Sequence, residues 1–133
     1  MTPNKEDYLK CIYEIGTEMQ KITNKEIATR MQVSPPAVTE MIKRMKSENL
    51  ILKDKENGYL LTDIGLKLVS ELYRKHRLIE VFLVHHLDYT SDQIHEEAEV
   101  LEHTVSDLFV KRLDKLLGFP QTCPHGGTIP AKG

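Results

Sequence analysis

His95, Glu99, Glu102 and His103 fall in one short stretch, and all four are side-chain types that bind divalent cations. On a helix, at about 100° per residue, Glu99 lies roughly 40°, Glu102 roughly −20° and His103 roughly 80° from His95, so one face carries them all. Ile94, Ala98, Leu101, Val105 and Leu108 share another face. The segment therefore also fits an amphipathic helix whose histidines and glutamates simply meet water. A second pair, His76 and Glu80, is spaced i, i+4, with His76 about 40° from Leu72 and 60° from Ile79, at the rim of an apolar stripe. Two such pairs on two helices can close around one or two cations, and imidazole with carboxylate suits Mn²⁺, Fe²⁺ or Zn²⁺. Cys123-Pro124-His125 adds a thiol and an imidazole on an irregular stretch. His85 and His86 are adjacent and so point to different faces, which reads as structural or solvated. Cys11, next to Ile12, reads as a small core residue.

The elements that must carry these groups follow from caps and periodicity. Thr2 and Pro3 open a helix to about Gln20, with Leu9, Ile12, Tyr13 and Gly16 at helical spacing. Thr23 with Glu26 is a capping box for a second helix that stops near Gln32. Ser34 caps a third, whose first turn tolerates Pro35 and Pro36 and whose inward stripe is Val38, Ile42 and Met45. Asn57-Gly58 between two short apolar runs signals a hairpin. Thr62 and Asp63 open a long helix to about Leu87. Ser91 and Asp92 open another, and a last one runs from about Ser106 to Leu117, closed by Gly118 and Pro120. The predicted fold is mostly α: an N-terminal winged helix-turn-helix over 1–70, an all-helical domain over 71–120, and a tether over 121–133 with three glycines.

Helix, short turn, helix and hairpin wing is an arrangement in which the second helix of the pair enters a DNA major groove. Between its buried positions that helix offers Ser34, Pro36, Ala37, Thr39, Glu40, Lys43 and Arg44, and the wing adds Lys53 and Lys55. Small groups at the helix start suit a thymine methyl or close approach to the groove; Lys43, Arg44 and free N-terminal amides suit phosphates. The alternative is an ordinary tri-helical core with a solvated charged face.

Composition narrows the classes. The 133 residues are 40% hydrophobic and 29% charged, enough for a core and too short for a large enzyme. Net charge is −2, so no bulk basic excess announces nucleic acid. All six histidines lie from His76 onward, in the more acidic half. Two cysteines far apart suggest a reduced, cytoplasmic setting, and no apolar run or leader suggests a membrane partner.

Ser34-Pro35-Pro36-Ala37-Val38-Thr39, then Arg74-Lys75-His76-Arg77-Leu78-Ile79-Glu80, then His95-Glu96-Glu97-Ala98-Glu99 followed by Leu101-Glu102-His103, in this order and spacing, resemble the diphtheria toxin repressor family of metal-dependent regulators, in its manganese-responsive branch. The resemblance implies a homodimer that represses from palindromic double-stranded operator DNA when metal is bound, takes no small-molecule substrate, and controls metal uptake. It places His76, Glu80, His95, Glu99, Glu102 and His103 among the metal ligands, adds Asp7 on the first helix, and brings Cys123 and His125 together with Glu80 as a second site. Glu99, where iron-responsive members tend to carry Cys, favours Mn²⁺, with Fe²⁺ the alternative and Zn²⁺ or Cd²⁺ as surrogates. Many relatives continue into a small barrel-like third domain, so the chain is either naturally short or a truncation. An iron-responsive regulator, a metal-independent winged-helix regulator and a small metallohydrolase using Glu102 or Glu99 as base are the competing expectations.

Overall fold

The computed structural model describes residues 4–125 and 127–130. The chain divides into two compact units, Met1–Val69 and Ser70–Gly133. In the first, α1 (Lys5–Thr17), α2 (Asn24–Met31) and α3 (Pro35–Ser47) precede the antiparallel hairpin β1 (Ile51–Asp54) and β2 (Gly58–Leu61). The long α4 (Asp63–Leu87) begins there and continues into the second unit, which adds α5 (Ile94–Glu102) and α6 (Asp107–Leu116).

The caps decide most boundaries. Thr23 and Ser34 accept from the backbone N–H of Glu26 and Ala37, and Gln32 ends α2 in the left-handed region. Asn4 caps α1 in a reciprocal box with Asp7, so the helix starts at Lys5 and stops at Thr17, short of Gln20. The expected cap Thr2 and first-turn Pro3 lie outside the described residues. Asn4 takes the role because its side-chain oxygen reaches the Asp7 N–H at 3.1 Å while the Asp7 carboxylate returns to the Asn4 N–H at 3.0 Å.

Leu9, Ile12 and Ile15 of α1 are fully buried, as are Ile27 of α2 and Val38 and Met45 of α3; each such side chain contributes about 1.5–3 kcal/mol of hydrophobic stabilisation. The hairpin loop has three residues, 55–57, instead of the two that Asn57-Gly58 suggests. Gly58 pairs with Asp54 at φ +82°, and the Asp54 carboxylate accepts from the N–H groups of Glu56 and Asn57. A Cβ on Gly58 would stand 1.9 Å from the Ile22 carbonyl oxygen, so only glycine lets this loop lie against the α1–α2 connection.

In the second unit Leu78, Ile79, Val81 and Leu83 pack with Ile94 and Ala98 of α5 and Val110 and Leu113 of α6. Arg74 Nη2 on α4 binds Asp114 Oδ2 on α6 at 2.7 Å. Helix α5 starts at Ile94, later than Ser91 and Asp92 suggest. The preceding turn is held by Thr90, whose hydroxyl reaches Asp92 and whose N–H donates to Gln93 Oε1. Residues 121–125 and 127–130 are bound to this unit and not a free strand of chain. Thr122 bridges Thr128, the Ile129 N–H donates to the Gln121 carbonyl at 2.8 Å, and Cys123 and Ile129 are buried in the core. Val100, Leu108, Phe109, Leu116 and Phe119 stay exposed, whereas Leu113, on the same amphipathic helix as Leu108, belongs to the unit's own core. No helix among the described residues is long and apolar enough to cross a membrane.

Candidate metal centre and nucleic-acid interface

The i, i+4 spacing on α4 sends His76 and Glu80 to the same inner edge, where both are buried. Glu102, at the end of α5, is buried as well and meets His76 from the opposite side. His76 Nδ1 stands 3.2 Å from Glu102 Oε2 and His76 Nε2 stands 3.4 Å from Glu80 Oε2. Burial by itself disfavours the imidazolium, but the hydrogen bond and charge of Glu102 and then the charge of Glu80 outweigh it and hold the His76 pKa up at about 9. Burial likewise pushes the Glu80 carboxyl up, and the adjoining His76 imidazolium overcomes this, so its pKa lies below the ordinary value.

Three groups of donors have ligand atoms within 4.8 Å of one another: His76, Glu80 and His95; His76, Glu99 and Glu102; and Glu80, Cys123 and His125. His95 and Glu99 lie toward the surface, and their side chains approach at 3.4 Å. The rings of His76 and His95 meet edge to face, with centroids 4.9 Å apart. His125 Nδ1 is 3.2 Å from Glu80 Oε2, and its Nε2 is 3.2 Å from the Ser91 carbonyl. Glu80 Oε2 thus has two imidazole nitrogens nearby, yet it is buried with no hydrogen-bond partner among the described residues. A buried carboxylate oxygen that two imidazole nitrogens approach outside hydrogen-bond alignment is an arrangement a divalent cation satisfies once the imidazole proton has left, so the donor set fits one.

Not every expected ligand joins these groups. His103 follows the last residue of α5, with its Nε2 3.6 Å from Glu102 Oε1, and belongs to none of the three. Asp7 lies in the first unit, where it closes the α1 capping box; periodicity left it solvated, and the Asn4-x-x-Asp7 spacing was the signal for its structural part. His85 and His86 are exposed at the end of α4, with His86 stacked on Phe82 at 5.4 Å, and Cys11 is a buried core thiol. Sequence reasoning gave no role to Arg77, whose Nη1 donates to the Thr128 carbonyl; partners 51 residues apart leave no periodic trace.

On α3, Val38, Ile42 and Met45 face the core, and Ser34, Pro36, Ala37, Thr39, Glu40, Lys43 and Arg44 are all exposed, as are Lys53 and Lys55 on the hairpin. The free amides expected at the start of this helix do not exist. Pro35 and Pro36 have no N–H, the Ala37 N–H goes to Ser34 Oγ at 3.3 Å, and the Val38 N–H goes to the Ser34 carbonyl at 3.2 Å. The cations are partly engaged too: Lys43 lies 3.6 Å from Glu40, and Glu48 takes both Lys5 at 3.1 Å and Arg44 at 3.9 Å.

The family model described as the iron dependent repressor N-terminal DNA binding domain matches residues 1–59, and that of the iron dependent repressor metal binding and dimerisation domain matches residues 62–131. The chain is 33% identical to the diphtheria toxin repressor of Corynebacterium diphtheriae over 94% of its own length and 55% of that protein's. It thus spans about half the length of the curated relatives it matches. Among solved structures it is similar to the manganese regulator SloR, at 68% identity and a TM-score of 0.88, covering 100% of this chain and 62% of that one. It is also similar to ScaR with bound Zn²⁺, at 77% identity and a TM-score of 0.92, covering 98% and 61%. With both units matched in chain order, and with the buried His76–Glu80–Glu102 cluster inside the part that carries the metal-binding model, the chain belongs to the iron-dependent repressor family.

Proposed function

We propose that this chain is a Mn²⁺-responsive transcriptional repressor that binds palindromic operator DNA as a homodimer in the cytoplasm and controls metal uptake. The observation that carries the reading is Glu80 Oε2, buried without a hydrogen bond while His76 and His125 both face it. His76, His95, Glu99 and Glu102 would hold one cation, with His103 beside them, and Glu80, Cys123 and His125 a second. The bound cation supplies positive charge that lets these carboxylates share one point. The protein's part is to give up the His76 proton and bring α4, α5 and the 121–130 segment to a single arrangement, which shifts the population toward the DNA-competent state. Oxygen-rich ligation around Glu80, Glu99 and Glu102 supports Mn²⁺, and the similarity to manganese regulators supports the same choice. On the DNA side, Ser34, Pro36, Ala37, Thr39 and Glu40 would face base edges, and Lys43, Arg44, Lys53 and Lys55 would face phosphates.

Iron responsiveness is the second reading, supported by the iron-dependent repressors among the relatives and by the thiol of Cys123 in the second group. A mobility-shift selection from a random duplex pool tests both readings. Retention of a palindromic sequence with Mn²⁺ and its loss with a chelator is the expected result. Equal retention with the chelator overturns metal activation, and retention with anaerobic Fe²⁺ but not with Mn²⁺ assigns iron.

A further inference from the structure

We infer that Arg77 is a positioning residue that holds the loop bearing Cys123 and His125 against Glu80. This rests on the reading of Glu80, Cys123 and His125 as a metal site. On α4, Arg77 follows Tyr73 by four residues and precedes Glu80 by three, so all three share a face. Its guanidinium lies over the Tyr73 ring, 4.9 Å from the centroid, which fixes the plane of the fork. From there Nη1 donates to the Thr128 carbonyl. Thr128 bridges Thr122, and the Cys123 N–H donates to the Gly127 carbonyl at 2.9 Å, so a hold on Thr128 is a hold on Cys123.

Gly127 lies between the two. A Cβ there would stand 3.1 Å from Arg77 Nε and 3.3 Å from both Arg77 Cζ and Cys123 Sγ. Guanidinium and thiol therefore both border the space that a side chain at position 127 would take, and the Gly127 N–H donates to Cys123 Sγ at 3.3 Å. A glycine- and proline-containing segment is costly to order, so a ligand set placed on it binds a cation better the more firmly it is already fixed. Arg77 adds to that hold from outside the donor set. Lysine keeps the charge and can donate to the Thr128 carbonyl but loses the planar stack.

Titration of the full chain with Co²⁺ alone, under anaerobic conditions, separates the sites. A sulfur-to-cobalt charge-transfer band reports Cys123 ligation, and ligand-field bands report total binding. R77Q should weaken the thiolate-containing site roughly 10–100-fold while the thiolate-free site fills as in the native chain, with R77K between the two. G127A, which puts a methyl group into the space that Arg77 and Cys123 border, should act in the same direction. R77K and G127A decide the matter if circular dichroism shows R77Q unfolded. A native-strength band in the folded variants overturns the Arg77 inference alone. Absence of the band from the native chain overturns the metal-site reading and this inference with it.

Discussion

Glu102 reaches His76 across 26 residues of chain, from the end of α5 to the middle of α4, with Oε2 3.2 Å from Nδ1 and both side chains out of solvent. A carboxylate so placed is sustained by the opposite charge beside it, and it would be destabilising alone.

The first prediction is a pH dependence. The folded His76 pKa of about 9 lies above its ordinary 6.5, so its pairs with Glu102 and Glu80 stabilise the metal-free protein fully below about pH 6.5, and this contribution is lost as pH rises through about 9. In chelator, the melting temperature should fall between these values. Metal must displace the same proton, so Mn²⁺ affinity should rise by up to about tenfold per pH unit in that window. Calorimetry at pH 7.5 in buffers of different ionisation enthalpy should show about one proton released per Mn²⁺ at the His76 site; no release would mean His76 is not a ligand.

Ligand variants form the second test. Glu102→Gln keeps the size and removes the charge, so the chain should stay helical but lose Mn²⁺-dependent operator binding. Glu99→Ala should lose the response too, and His103→Ala should weaken it. His85→Ala should respond normally, since His85 is exposed and outside all three donor groups. Fluorescence anisotropy during Mn²⁺ titration gives the readout, and a lost response in His85→Ala would show the wrong histidines to have been chosen.

The two thiols should differ. Burial, with a smaller push from Glu14, raises the Cys11 pKa to about 11, so at pH 7.5 almost no thiolate is present for an alkylating reagent. Iodoacetamide should modify Cys11 only after denaturation, and Mn²⁺ or Zn²⁺ should slow modification of Cys123 alone. Mass spectrometry of peptides containing each cysteine checks both statements.

Glu48 holds Lys5 and Arg44 at once, so Glu48→Gln should raise affinity for any duplex several-fold and steepen the salt dependence. Lys43→Ala should weaken all duplexes and flatten the salt slope by about one. A bulkier residue at Ala37 should instead change which sequences are selected. Footprints indifferent to all three would remove α3 from the groove.

Leu108, Phe109 and Leu116 of α6 are exposed. Phe109→Asp should move sedimentation from dimer to monomer at micromolar concentration with no loss of helicity. A native chain that sediments as monomer with and without Mn²⁺ would exclude the dimer.

Where control is local, the sequence was readable. Thr23 and Ser34 mark their helices because a cap needs only the next three residues, and Val38, Ile42 and Met45 are buried as their spacing requires. Periodicity also put Glu102 roughly 40° from Ala98, at the margin of the apolar stripe, and no rule of spacing could say whether it faced water or His76. That depended on a partner 26 residues away. The 121–130 segment misled for the same reason: its glycines describe a flexible chain, while Ile129, Cys123 and the Arg77 hydrogen bond fasten it.

The start of α3 has no free backbone N–H to give, and Lys43 and Arg44 already face glutamates. Such a helix holds DNA only weakly by general attraction, so a single copy should leave a half-site soon after it arrives. Residence on an operator then depends on two copies letting go at the same moment, and small changes in how many molecules stand correctly spaced become large changes in how long a promoter stays covered.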